Sequence, residues 1–250
     1  MITTQSSLRR TVEVPGFPAS VLPPDQGSPE SDPLARVPVS PAPWQLLARG
    51  IVLLFRPDER FATLLPPAAR HRYRGGVPAL MALRYLASDV GPYDELMLIP
   101  GLVAFDGRPL YSVSHVASST LASVVNGRLN WGIPKELAPL QFENRGRQLA
   151  LRGERPDGFA VEVVAEGGGL PFQLAHASLP TEIGQERDVR LFVTHPSVTG
   201  WALRARLQRL SITGPSLPSL DWATVGVALT VDRVHLHLPA AEVRPLGGKT

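Results

Sequence analysis

From Trp44 onward the chain is a succession of short apolar runs, each stopped by glycine, proline, asparagine or aspartate. That punctuation constrains the fold more than any other feature, because it is the spacing of strands and tight turns and leaves little room for long helices. It is clearest in LQFENRGRQLALRGERPDGFAVEVVAEG, which reads as a hairpin series with turns at Asn144–Gly146 and Pro156–Gly158. WQLLARGIVLLFRP, PALMALRYLAS, DELMLIPGLVAF and LYSVSHVASST have the apolar content and flanking turns of strands. DVRLFVTHPSVTGWALRARLQRL and RVHLHLPAAEVRP add late strands with alternating faces. DERFATLLPPAAR fits a short helix capped by Asp58, with Phe61, Leu64 and Leu65 on one face and Pro66–Pro67 ending it. The expected fold is α+β, predominantly antiparallel β: a closed or nearly closed β-barrel or cone with a few peripheral helices.

The first 43 residues behave differently. Nine of the 26 prolines fall between Pro15 and Pro43, and segment 11–43 sustains no period of 2 or 3.6. Residues 1–43 are expected to be a proline-rich arm or disordered leader, and 44–246 the folded domain. With 250 residues, 44% hydrophobic, the chain can bury a core, and 19% charged residues is too few for a mainly disordered protein. A net charge of +3 without a dense basic run argues against nucleic-acid binding. The longest apolar stretch, LMLIPGLVAF, is cut by Pro100 and Gly101 and falls short of a membrane span. No apolar segment follows MITTQSSLRR, so a cytoplasmic protein without a membrane partner is expected. The absence of cysteine removes disulfides, thiol nucleophiles and thiolate–metal sites together.

Two places could carry chemistry. His235 and His237 form an H-x-H pair that a strand would place on one face. Zinc would need further ligands that the sequence does not locate, so no metal is expected there. Lys135 is more informative. It is one of two lysines in a chain whose other 23 basic residues are arginines, and it sits in the largely apolar GRLNWGIPKELA. A buried amine must be paired or neutral. A neutral amine attacks carbonyls to form a Schiff base. An exposed lysine on a turn, paired with Glu136, is the competing reading of the same residues.

In context the segment resembles the active-site stretch of the acetoacetate decarboxylase family, G-R-x-x-x-x-x-P-K-K-L. Gly127, Arg128, Pro134, Lys135 and Leu137 match without a gap. IVLLFRPD resembles the family's early strand and places Arg56 at its active-site arginine. GPYDE resembles G-x-Y-x-E and places Glu95 at the pocket carboxylate, and LPAAEV resembles the closing L-P-x-A-E-V strand. The likeness spans about residues 44–244. It implies a Schiff-base lyase acting on a small keto acid, by decarboxylation or by aldol or dehydratase chemistry through the same imine. Lys135 would be the nucleophile, Glu95 would position or move a proton, and Arg56 would hold the substrate carboxylate. Tyr93 and Trp131 are further pocket candidates. No cofactor is required, since the lysine supplies the electron sink, and a homo-oligomer is implied.

One departure stands out: Glu136 occupies the position of the family's second lysine. At about 6 Å and an effective dielectric of about 20, a carboxylate favours a charged amine by about 2.8 kcal/mol. Successive strand side chains point to opposite faces, so Glu136 should turn away if Lys135 turns inward. A second carboxylate cannot be placed upstream of Glu95. A non-catalytic small-molecule-binding barrel of the same fold is the alternative function class.

Overall fold

The computed structural model describes residues 37–174, 182–214, 220 and 224–247. The chain divides into two units, Met1–Pro33 and Leu34–Thr250, and every described residue belongs to the second. Most of the expected arm therefore lies outside the described residues. In chain order the strands are β1 (Trp44–Phe55), β2 (Ala79–Ala87), β3 (Tyr93–Ile99), β4 (Gly101–Phe105), β5 (Arg108–Ser112), β6 (His115–Ser118) and β7 (Lys135–Leu137). They continue with β8 (Leu140–Arg145), β9 (Gln148–Glu154), β10 (Ala160–Leu174), β11 (Ile183–Arg187), β12 (Arg190–Thr194), β13 (Ser197–Thr213), β14 (Val225–Leu238) and β15 (Glu242–Pro245). The α-helix α1 (Leu121–Trp131) lies between β6 and β7. The capped segment after β1 is a 3-10 helix, Glu59–Leu64, with the Asp58 carboxylate accepting from the Arg60 amide; Pro67 opens a second one, Pro67–Arg72.

Ten strands form one sheet in the order β7-β6-β3-β2-β1-β14-β13-β10-β9-β8, and five form a second, β15-β12-β11-β5-β4. Both expected hairpins, β8–β9 and β9–β10, are present. Pairing is antiparallel except for β6–β7 and β5–β11. The chain passes from the large sheet to the small one at Pro100–Gly101. Gly101 has φ 142°, and a Cβ there would stand 2.2 Å from the Gly75 carbonyl oxygen.

The antiparallel-dominated sheet is as expected, but of the closed or nearly closed barrel it forms only a curled, open half-barrel. Its two edges, β7 and β8, are consecutive in sequence and joined by Ala138–Pro139. They meet at that corner without laddering. Across the seam the Asp94 carboxylate of β3 accepts the Phe142 amide of β8 at 3.1 Å, standing in for a backbone acceptor, and it also takes Arg84 Nη1 at 3.0 Å.

Burial on both faces explains why β1 to β3 read as nearly continuous apolar runs. On the concave face Leu53, Leu80, Ala82 and Leu98 pack against Leu151, Val163 and Leu207 from the far side of the curl. On the convex face Leu83, Tyr85, Tyr93 and Ile99 pack with Val113 and with Trp131 of α1. Residues 38–40, within the proline-rich stretch, are tied to α1. Asn126 donates to the Pro38 carbonyl and accepts from the Ser40 amide, and Asn130 donates to the Ser40 carbonyl.

Candidate active site

The site lies on the convex face, between β3 and the turn that follows α1. Thr120 caps the helix by accepting the Ser123 amide, and Gly132 ends it at φ 65° with its N–H on the Arg128 carbonyl. That left-handed residue reverses the chain into the three-residue β7, which runs parallel to β6 with Lys135 opposite Val116. Glu95 of β3 lies opposite Ser118 of β6 and Leu83 of β2. Two strand spacings, about 10 Å, separate β3 from β7. The long side chains of Glu95 and Lys135 span that gap from opposite sides of β6.

Lys135 Nζ lies 2.5 Å from Glu95 Oε2 and 2.9 Å from Ser123 Oγ. The three residues are 4%, 1% and 0% exposed, so this is a buried ion pair and the exposed-lysine reading fails. The Tyr85 hydroxyl donates to the other Glu95 oxygen at 3.2 Å, and the Tyr93 ring lies 5.1 Å from Nζ. Burial raises both phenols well above the ordinary tyrosine value, with the Glu95 charge adding to it; at Tyr93 a hydrogen bond with Ser123 counts the other way. Both stay protonated at neutral pH.

Two motif residues now have physical roles. A Cβ on Gly127 would stand 2.7 Å from Lys135 Cε and 2.8 Å from Cδ, so the glycine makes room for the lysine stem. Arg128 Nε donates to the Lys135 carbonyl at 2.7 Å and fixes the backbone that carries the amine. Glu136 faces away, as strand alternation requires, with Oε2 3.7 Å from Arg155 Nη2.

The amine and Glu95 form part of the wall of a mostly apolar cavity of about 100 Å³ that opens to solvent. Tyr93 and Trp131 line it, as expected. Arg56 does not. It follows the end of β1, is exposed to solvent, and donates its backbone N–H to the Thr224 carbonyl. Its expected role as carboxylate anchor is therefore corrected: the strand stops at Phe55, and the guanidinium lies outside the cavity. His235 is exposed and His237 bonds to Gln45 Nε2 at 2.8 Å. Among the described residues no group of three His, Asp or Glu side chains could hold a metal ion.

Sequence reasoning missed Ser123 and Tyr85. Tyr85 sits in a run that reads as purely apolar, and it supplies the polar partner of Glu95 where a second carboxylate was sought. Ser123 had one signal, its place three residues after the capping Thr120, which says nothing of the lysine it meets across the turn.

In sequence comparison, neither a protein-family model nor a curated protein matches the chain. Solved structures do. Acetoacetate decarboxylase from Legionella pneumophila superposes with a TM-score of 0.62 at 16% identity, covering 90% of this chain and 99% of that one. An acetoacetate decarboxylase-like enzyme from Sphingomonas wittichii RW1 gives 0.61 at 14% identity, covering 83% and 95%. The enduracididine biosynthesis enzyme MppR, complexed with the condensation product of pyruvate and imidazole 4-carboxaldehyde, gives 0.57 at 15% identity, covering 90% and 98%.

Proposed function

From the premise that this chain has the acetoacetate decarboxylase-like fold, we propose that it is a Schiff-base-forming enzyme of the carbon–carbon lyase type. Lys135 is its nucleophile and Glu95 its proton carrier. One observation carries the reading: a lysine amine buried against a carboxylate at 2.5 Å, at the wall of a mostly apolar cavity. A purely structural ion pair has no need of a cavity on its reactive side.

The chemistry follows from the contacts. The Lys135 proton passes along the short hydrogen bond to Glu95, freeing the amine lone pair to attack a substrate carbonyl carbon. The carbonyl oxygen leaves as water, taking the proton that Glu95 holds. The resulting iminium accepts the electrons of a neighbouring bond to carbon or hydrogen and becomes an enamine. Decarboxylation, aldol cleavage and dehydration all proceed through that intermediate. Ser123 and Arg128 hold the lysine at its two ends, and Tyr85 holds Glu95. The family resemblance implied a keto acid whose carboxylate Arg56 would hold; Arg56 is not among the residues lining the cavity, so the proposal is confined here to carbonyl chemistry at Lys135. The MppR complex supports the class, since a pyruvate condensation product is bound in that protein.

The test is reductive trapping with cyanoborohydride and a panel of ketones, aldehydes and keto acids, read by intact mass. A single adduct that disappears in Lys135→Met is expected; Lys249 serves as the internal control amine. Adduct levels equal in wild type and Lys135→Met would refute the assignment and leave a binding barrel as the function.

A further inference from the structure

The cavity's charge balance and its committed donors define which carbonyl compound it can take; this inference rests on the Schiff-base reading above. We infer that the substrate is a neutral ketone or aldehyde with an extended apolar chain, and not a small keto acid.

Lys135 and Glu95 are the charged residues lining the cavity, and they neutralise each other. No arginine or histidine lines it among the described residues. The other polar groups of the wall are already occupied by the protein. With its side-chain amide turned by 180°, the orientation that satisfies both of its ends, Gln185 donates to the Val113 carbonyl and accepts from the Val113 amide. Thr194 Oγ1 and Trp131 Nε1 both donate to the Pro239 carbonyl, and Trp44 Nε1 donates to the Ser40 carbonyl. The Tyr111 hydroxyl accepts from the Val77 amide and can donate one neutral hydrogen bond, which is no counter-charge. Among the described residues a substrate carboxylate would find no cationic partner beyond the already paired Lys135 and would lie beside Glu95, which disfavours it relative to a neutral carbonyl compound.

A neutral carbonyl compound meets no such penalty, because every step conserves charge. The pair Lys-NH3+/Glu-COO− is equivalent to Lys-NH2/Glu-COOH. Addition of the amine and loss of water, with the Glu95 proton leaving on that water, gives iminium and carboxylate, again of zero net charge. Abstraction of an α proton by Glu95 then gives neutral enamine and neutral acid.

The rest of the cavity fits an apolar chain. Beyond Glu95 on the same face stand Met97 and Ile99, and the neighbouring strand adds Leu83 and Met81. Ile99 is four residues past Glu95, about 13 Å along the strand. That floor has no polar side chain to receive a hydroxylated or charged tail.

The experiment titrates imine formation by wild-type protein with methyl ketones bearing ethyl, butyl and hexyl chains, against pyruvate and acetoacetate. Cyanoborohydride traps the imine, and intact mass reads the adduct. The half-saturating ketone concentration should fall about fourfold per added methylene until the cavity is full. Both keto acids should require higher concentrations than the shortest ketone. A flat chain-length series, or keto acids that trap at lower concentrations than the ketones, would overturn the substrate class and leave the Lys135 chemistry standing. No adduct with any compound would remove both.

Discussion

Gly127→Ala separates the fold from the chemistry. The new methyl would stand 2.7 Å from Lys135 Cε, 2.8 Å from Cδ and 3.4 Å from Nζ. Carbon atoms pack at roughly 3.5–4.0 Å, so the stem must move by about 1 Å. It cannot do so freely, since the amine is held by Glu95 and Ser123 and its backbone by Arg128. Overpacking of this kind costs about 1–3 kcal/mol. Gly127 lies inside α1, where alanine recovers about 1 kcal/mol of helix propensity. The net change in stability should therefore fall between about zero and 2 kcal/mol, a small shift in a urea unfolding midpoint. The chemical cost is larger, because misplacing a reacting group by about 1 Å lowers rates on the order of 100-fold. Urea unfolding and the rate of cyanoborohydride trapping on the same preparation measure the two effects. A Gly127→Ala protein that is folded and traps carbonyls at the wild-type rate would show that the amine's position is not what the glycine protects, and the argument would fail.

Three further outcomes are expected. Glu95→Gln leaves a buried amine without its counter-charge, which should lower stability by roughly 3–5 kcal/mol in urea unfolding and abolish imine trapping. Glu136→Lys should leave the pH profile of trapping nearly unchanged and cost no more than about 1 kcal/mol, because its carboxylate faces Arg155 and not the cavity. Tyr85 and Tyr93 are held protonated in the fold, whereas in the unfolded chain they ionise near the ordinary value of about 10. Their contribution to stability is complete below that pH and is lost as pH rises beyond it. Absorbance at alkaline pH should show delayed tyrosine ionisation, coupled to unfolding; four tyrosines titrating normally in folded protein would contradict this.

What the sequence discloses depends on whether a property is local. Strands β1 to β3 are buried on both faces, so their runs are plainly apolar, and the tight turns of β8 to β10 announce the hairpins. Lys135 and Glu95 could be placed because each sits in a short motif whose residues touch one another: Gly127 against the stem, Arg128 on the carbonyl. Openness of the barrel could not be read, since it depends on whether β7 and β8 ladder across the seam. The helix α1 was hidden because it turns Ser123, Asn126 and Gly127 inward and so lacks an apolar stripe. Arg56 was misplaced for a related reason: a matching residue fixes a position in the chain, but not where the strand beneath it ends. Tyr85 owes its role to a cross-strand neighbour ten residues away.

Asp94 and Glu95 are adjacent on β3 and point to opposite faces, one holding the seam and the other the amine. A slip of one residue in the β2–β3 pairing would exchange them. Asp94, one methylene shorter, would then face Lys135, while the Phe142 amide and Arg84 would lose their acceptor. Architecture and reactivity are thus checked by the same register, and no misaligned form of the sheet can keep one while losing the other. A one-residue insertion within β3 should therefore disturb the seam and the amine together.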